Sequence, residues 1–72
     1  MIDSPESEIR RQVEERLLAD KRTKDAVIDV AYLTGQVSLT GKVHNPATKA
    51  AAEEIARSVP GVRLVDNELS VR

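Results

Sequence analysis

The chain has no cysteine, tryptophan or phenylalanine, and Tyr32 is its one aromatic residue. Without thiols it can form neither disulfides nor thiolate metal sites, and the compartment stays open, because the absence suits periplasm and cytoplasm alike. Without aromatic platforms it cannot stack bases as many nucleic-acid modules do. An excess of charge is missing too: 11 Lys and Arg stand against 12 Asp and Glu, a net charge of −1, which argues against the basic footprint of a nucleic-acid binder. No segment approaches the roughly 18 apolar residues that a transmembrane helix needs. The start, Met1-Ile2-Asp3-Ser4-Pro5-Glu6, lacks the basic and apolar regions of a signal peptide. The segment is therefore expected to be soluble as given, with any leader of a secreted parent removed or lying outside it.

A length of 72 residues allows one domain, residues 1–72, which buries only about 60% of its unfolded surface. That leaves little room for a deep catalytic cavity. No nucleophile–base pair and no metal-ligand cluster can be assembled from the residues present, so neither enzymatic activity nor a cofactor or metal is expected.

What is present is periodic. Ile9, Val13 and Leu17 recur at helical spacing, with Leu18 beside them, and predict an amphipathic helix over about residues 5–20. Ser4 suits its N-cap and Pro5 its first turn. From Ala26 to Leu33 the chain alternates, Ile28, Val30 and Tyr32 facing one way and Val27, Asp29, Ala31 and Leu33 the other. Gln36 to Val43 alternates more cleanly, with Val37, Leu39 and Val43 inward. These are two strands of a hairpin whose tight turn is Thr34-Gly35. Asn45-Pro46 starts a second helix that runs to about Ser58 and stops before Pro60-Gly61. Its inner face is mostly alanine, and Gly41, inward on its strand, would leave room for that helix to approach. Val62 to Val71 predicts a third strand, on which Asn67 shares the parity of Val65, Leu69 and Val71. A buried amide needs partners, so its side chain is expected to bond nearby backbone and fix a loop. The predicted fold class is α+β, ordered αββαβ: a three-stranded mixed sheet with both helices packed on one face and the last strand parallel to the second.

Gly35-Gln36-Val37-Ser38-Leu39-Thr40-Gly41-Lys42-Val43, the alanine-rich helix, Pro60-Gly61-Val62 and Val65-Asp66-Asn67 occur in an order and spacing that resemble the BON domain family. The resemblance covers nearly the whole chain, and one small departure is Thr34, where Asn is the commoner partner of the turn glycine. It implies the αββαβ fold, structural roles for Gly35, Gly41, Gly61 and Asn67, no catalytic residues, and a role in attaching proteins to phospholipid membranes. The implied setting is periplasmic or envelope-associated, as in osmotic-stress proteins and lipoproteins. A cytoplasmic member that senses K⁺ gives the alternative of a soluble cation sensor using backbone carbonyls, and a purely structural interaction domain is a third.

Lys21, Arg22 and Lys24 form the densest basic cluster, with Arg10, Arg11 and Arg16 upstream. They are the candidate contacts for an anionic phospholipid surface. The plain alternative is a solvated helix face held by pairs such as Glu6 with Arg10. Val27, Leu33 and Leu64 fall on the parity facing away from the helices and are candidates for an interaction patch meeting an envelope protein, another BON domain or a bilayer, against the plain alternative of scattered surface aliphatics. His44, the only histidine, has no ligand neighbours and reads as a loop residue. The pairs Asp25/Asp29 and Asp66/Glu68 read as solvated carboxylates, and Tyr32 as a sheet residue with its hydroxyl at the rim.

Overall fold

The computed structural model describes residues 5–72, so the Ser4 cap lies outside the described residues, as does the side chain of Glu6. Helix α1 spans Pro5–Ala19, strands β1 and β2 span Val27–Leu33 and Gln36–Val43, helix α2 spans Pro46–Arg57, and strand β3 spans Leu64–Val71. The sheet order is β1-β2-β3, with β1 antiparallel and β3 parallel to the central β2. This is the expected mixed sheet and element order. β3 begins later than Val62, because Arg63 and Leu64 N–H both donate to the Gly35 carbonyl, at 2.8 and 3.1 Å, and only then does the ladder start.

Each helix contributes one apolar stripe to a shared core. Val13 and Leu17 of α1, Ala52, Ile55 and Ala56 of α2, and Val30, Val37, Leu39, Val43 and Leu69 of the sheet form one buried cluster, joined at its edge by Ile9, Ile28 and Tyr32. Leu18 does not join it. One position beyond Leu17 turns the side chain by about 100° around the helix, and Leu18 is 66% exposed. Tyr32 lays its ring against the core and donates its hydroxyl to the Gly61 carbonyl at 2.9 Å. α2 starts as its sequence directs: the Asn45 side chain accepts from the Thr48 N–H at 2.8 Å, with Pro46 at the first position.

The hairpin turn settles the question raised by Thr34. Leu33 pairs with Gln36, and Thr34 and Gly35 have φ of 50° and 89°, the two positive values of a type I′ turn. A β-branched residue adopts that region only under strain, whereas Asn enters it readily. Thr34→Asn is therefore expected to stabilise the protein by about 1 kcal/mol and to raise the thermal midpoint by about 4–8 °C. A melt followed by circular dichroism checks this, and an unchanged or lower midpoint would show that the turn carries no such strain.

Gly41 is required for a different reason from the predicted one. A Cβ there would run into the Val27 carbonyl oxygen and sit 3.4 Å from Ile28 Cα, both backbone atoms of β1. The crowding comes from the paired strand and not from the alanine face of α2. Its φ of 135° is in addition a backbone conformation that residues with a side chain rarely adopt.

Candidate functional site

The basic cluster lies in the turn between α1 and β1, and a buried threonine sets its shape. Thr23 is 1% exposed and donates its hydroxyl to the Leu17 carbonyl at 2.6 Å, satisfying one of the carbonyls that a helix C-terminus leaves without a partner. The Asp20 carbonyl accepts from the Thr23 and Lys24 N–H groups at 3.1 and 2.8 Å, and the Thr23 carbonyl from Ala26 N–H at 3.0 Å. The backbone that carries Lys21 and Lys24 is thus tied at several points to the end of α1.

The three basic side chains are not equivalent. Asp20 accepts from the backbone N–H of Arg22 at 2.8 Å and from its guanidinium at 3.0 and 3.1 Å. The same guanidinium reaches Glu54 of α2 at 3.4 Å. These hydrogen bonds from Arg22 hold the Asp20 carboxyl below the usual carboxylate range and keep Arg22 firmly protonated. Lys21 and Lys24 are exposed, and neither has a carboxylate partner within ion-pair distance among the described residues. The upstream arginines are also engaged: Arg10 with Glu14 at 3.6 Å, Arg11 with Glu8 at 2.8 Å, and Arg16 with the Ser58 hydroxyl at 3.3 Å. Of the three candidate contacts, Arg22 is bound by Asp20 and Glu54, while Lys21 and Lys24 carry no carboxylate partner among the described residues.

Beside Lys24 runs an open groove of about 450 Å³ between the end of α1 and the start of β1, lined by Leu18, Ala26 and Val27 and, as charged groups, by Lys24, Glu14 and Asp25. Exposed Leu18 and Val27, at 66% and 79%, stand next to Lys24 on its walls. Sequence reasoning set Leu18 beside the apolar stripe and gave it no role in a site.

Val27, Leu33 and Leu64 are all exposed, at 79%, 70% and 60%, yet they do not make one patch. Leu33, Gln36 and Leu64 form one cross-strand row, whereas Val27 shares a row with Lys42 and Ser70. Six residues of strand, about 20 Å, separate the rows. Between them lie the rows Asp29-Thr40-Glu68 and Ala31-Ser38-Asp66, so the middle of the open face is polar and acidic. The predicted patch resolves into two separate apolar ends, because shared parity fixes the face of a strand but not the distance along it.

Asn67 is half-buried. Its amide N–H donates to the Lys49 carbonyl at 2.9 Å and to Glu53 at 3.4 Å, both on α2, and its oxygen accepts from Leu69 N–H at 3.2 Å. It clamps β3 to α2 and does not fix a loop. His44 is exposed in the β2–α2 connection. Among the described residues, no group of His, Asp and Glu could hold a metal ion, and no helix is long and apolar enough to cross a membrane.

Set against known families, residues 5–72 match the model described as the BON domain. No curated protein matches the chain.

Proposed function

Because the chain belongs to the BON domain family, whose members are typically non-catalytic modules of periplasmic or envelope proteins, we propose that it is an attachment module docking on anionic phospholipid through Lys21 and Lys24. The observation that carries this reading is a turn tied to α1 by Thr23 that carries two lysines without carboxylate partners among the described residues, one of which, Lys24, lines the same groove as exposed Leu18. A fixed turn spends little further entropy on binding. The acidic middle of the open sheet face would be repelled by the same surface, which orients the α1–β1 turn toward the bilayer.

The expected strength is modest. Each lysine near an anionic leaflet contributes about 1 kcal/mol before screening, and one leucine side chain adds about 1.5–3 kcal/mol only if fully buried. A single copy should therefore bind weakly, with avidity supplied by tandem copies or an anchor. Flotation with phosphatidylglycerol vesicles tests the reading. Binding is expected at low salt, to weaken as salt rises, to be absent on phosphatidylcholine, and to be lost in the double variant Lys21→Glu, Lys24→Glu. Arg22→Gln should change it less, since it lowers the local charge by one unit where the double variant lowers it by four, although it leaves Asp20 and Glu54 without their partner. Equal flotation of wild type and the double variant would overturn the proposal.

A further inference from the structure

The two edges of the sheet are unlike. Along β3, the Leu64 and Arg72 N–H groups donate to the carbonyls of Gly35, just before β2, and Val43, its last residue, so the N–H groups of odd-numbered residues point to the free edge. There the Leu69 N–H is already taken by the Asn67 side chain at 3.2 Å, and Asp66 and Glu68 put two carboxylates on the strand. An incoming strand would meet an occupied donor and negative charge. Strand β1, Val-Ile-Asp-Val-Ala-Tyr-Leu, is less protected: it carries no lysine, no proline, no glycine and a single charge, Asp29. In a hairpin closed by a two-residue turn, Leu33 and Gln36 form a hydrogen-bonded pair. Asp29, Ala31 and Leu33 thus bond toward β2, and the N–H and C=O groups of Ile28, Val30 and Tyr32 face outward.

We infer that β1 is the pairing edge of a two-fold homodimer, in which β1 of a second copy adds antiparallel about Val30 to give one continuous six-stranded sheet. The strand selects this register by itself. Centring on Val30 brings the outward-facing groups of Ile28 and Tyr32 of opposite copies together, as hydrogen-bonded pairs, and uses all seven residues. On the open face it sets Asp29 opposite Ala31 of the second copy and Val27 opposite Leu33. The two aliphatics that are too far apart to cooperate within one chain, 79% and 70% exposed, then cover each other twice. On the helix side it matches Ile28 with Tyr32, a favourable β-branched–aromatic pair. Centring on Asp29 instead would oppose two carboxylates, and centring on Ala31 would leave Val27 and Ile28 without strand partners. A second copy is the occupant that fits, because it covers the exposed apolar ends Val27 and Leu33 with each other and opposes no like charges. Strand-edge pairing of this length buries less than a standard interface of about 1,600 Å², so the dimer is weak and concentration-dependent, and independent of the lipid reading above.

Two experiments test it. The chain has no cysteine, and Val27 and Leu33 of opposite copies would form a non-hydrogen-bonded pair, whose close Cβ atoms suit a disulfide. Oxidising an equimolar mixture of Val27→Cys and Leu33→Cys proteins should give the crosslinked heterodimer, whereas each variant oxidised alone should give little. In sedimentation, wild type should shift from monomer toward dimer with rising concentration. Ala31→Lys, facing Asp29 of the second copy at two symmetry-related places, should tighten association about fivefold at low salt, and Ala31→Asp should weaken it by at least as much. Circular dichroism melts confirm that these exposed substitutions leave the fold intact. Crosslinking that is equal in single and mixed samples overturns the register. A monomer at every concentration, including for Ala31→Lys, overturns the dimer and leaves the edge to an extended segment of another protein.

Discussion

Gly41→Ala is expected to unfold the protein at or near physiological temperature, although it adds a single methyl group. The added carbon would overlap the Val27 carbonyl oxygen and press on Ile28 Cα. Neither atom is the end of a flexible side chain. Both belong to the strand whose Ile28 pairs with Gly41 itself, so relief requires shifting the register that places Val30, Val37 and Leu39 in the core. A residue with a side chain also strains at φ of 135°, at about 1–3 kcal/mol, and overpacking adds about 1–3 kcal/mol. Natural domains retain about 0.05–0.15 kcal/mol per residue, so a chain of 72 residues has little beyond this to lose. At about 4–8 °C per kcal/mol, the thermal midpoint should fall by about 15 °C or more. A midpoint within about 3 °C of wild type would mean that the hairpin absorbs a side chain there, and the close approach of β1 would cease to matter.

How far the fold could be read in advance follows from the range of each signal. Ile9, Val13 and Leu17, the alternation of Val37 and Leu39, Thr34-Gly35 and Asn45-Pro46 all act within a few residues, and each produced the element it implied. Errors arose where the cause lies far along the chain. Arg22 is held mainly by Asp20, two residues away; only its second partner, Glu54, lies far along the chain and could not be read locally. Asn67 was legible as an inward amide by parity, but its partner on α2 was not, because nothing local shows which turn of the helix passes over β3. Gly41 was legible as a close approach, yet inward parity suggested the helix, whereas the sheet register sets the obstacle on β1. Leu18 shows the limit of periodicity itself, since one residue marks the difference between the buried stripe and the rim of the groove.

Thr23 carried the weakest local signal of all, a small hydroxyl inside the run Asp20-Lys21-Arg22-Thr23-Lys24-Asp25, and its replacement tests how the turn is held. Valine matches threonine in shape, so Thr23→Val leaves packing nearly unchanged and removes the 2.6 Å hydrogen bond to the Leu17 carbonyl. That carbonyl lies at the end of α1 beside a side chain that is 1% exposed, where water cannot readily replace the hydroxyl. A buried acceptor left unmet costs about 1–3 kcal/mol, which predicts a drop in thermal midpoint of about 10 °C. The effect should also be local: the amides of Lys24 and Ala26, bonded to Asp20 and Thr23 carbonyls, should exchange hydrogen faster than those of β2. Thr23→Ser supplies the control, since it restores the donor while giving up one methyl group, and it should recover the slow exchange. Lys21 and Lys24 ride on this turn, so vesicle binding should weaken in the valine variant and return in the serine variant, with neither lysine altered. Valine and wild-type proteins that melt together and exchange alike would show that the turn is held by its backbone bonds alone.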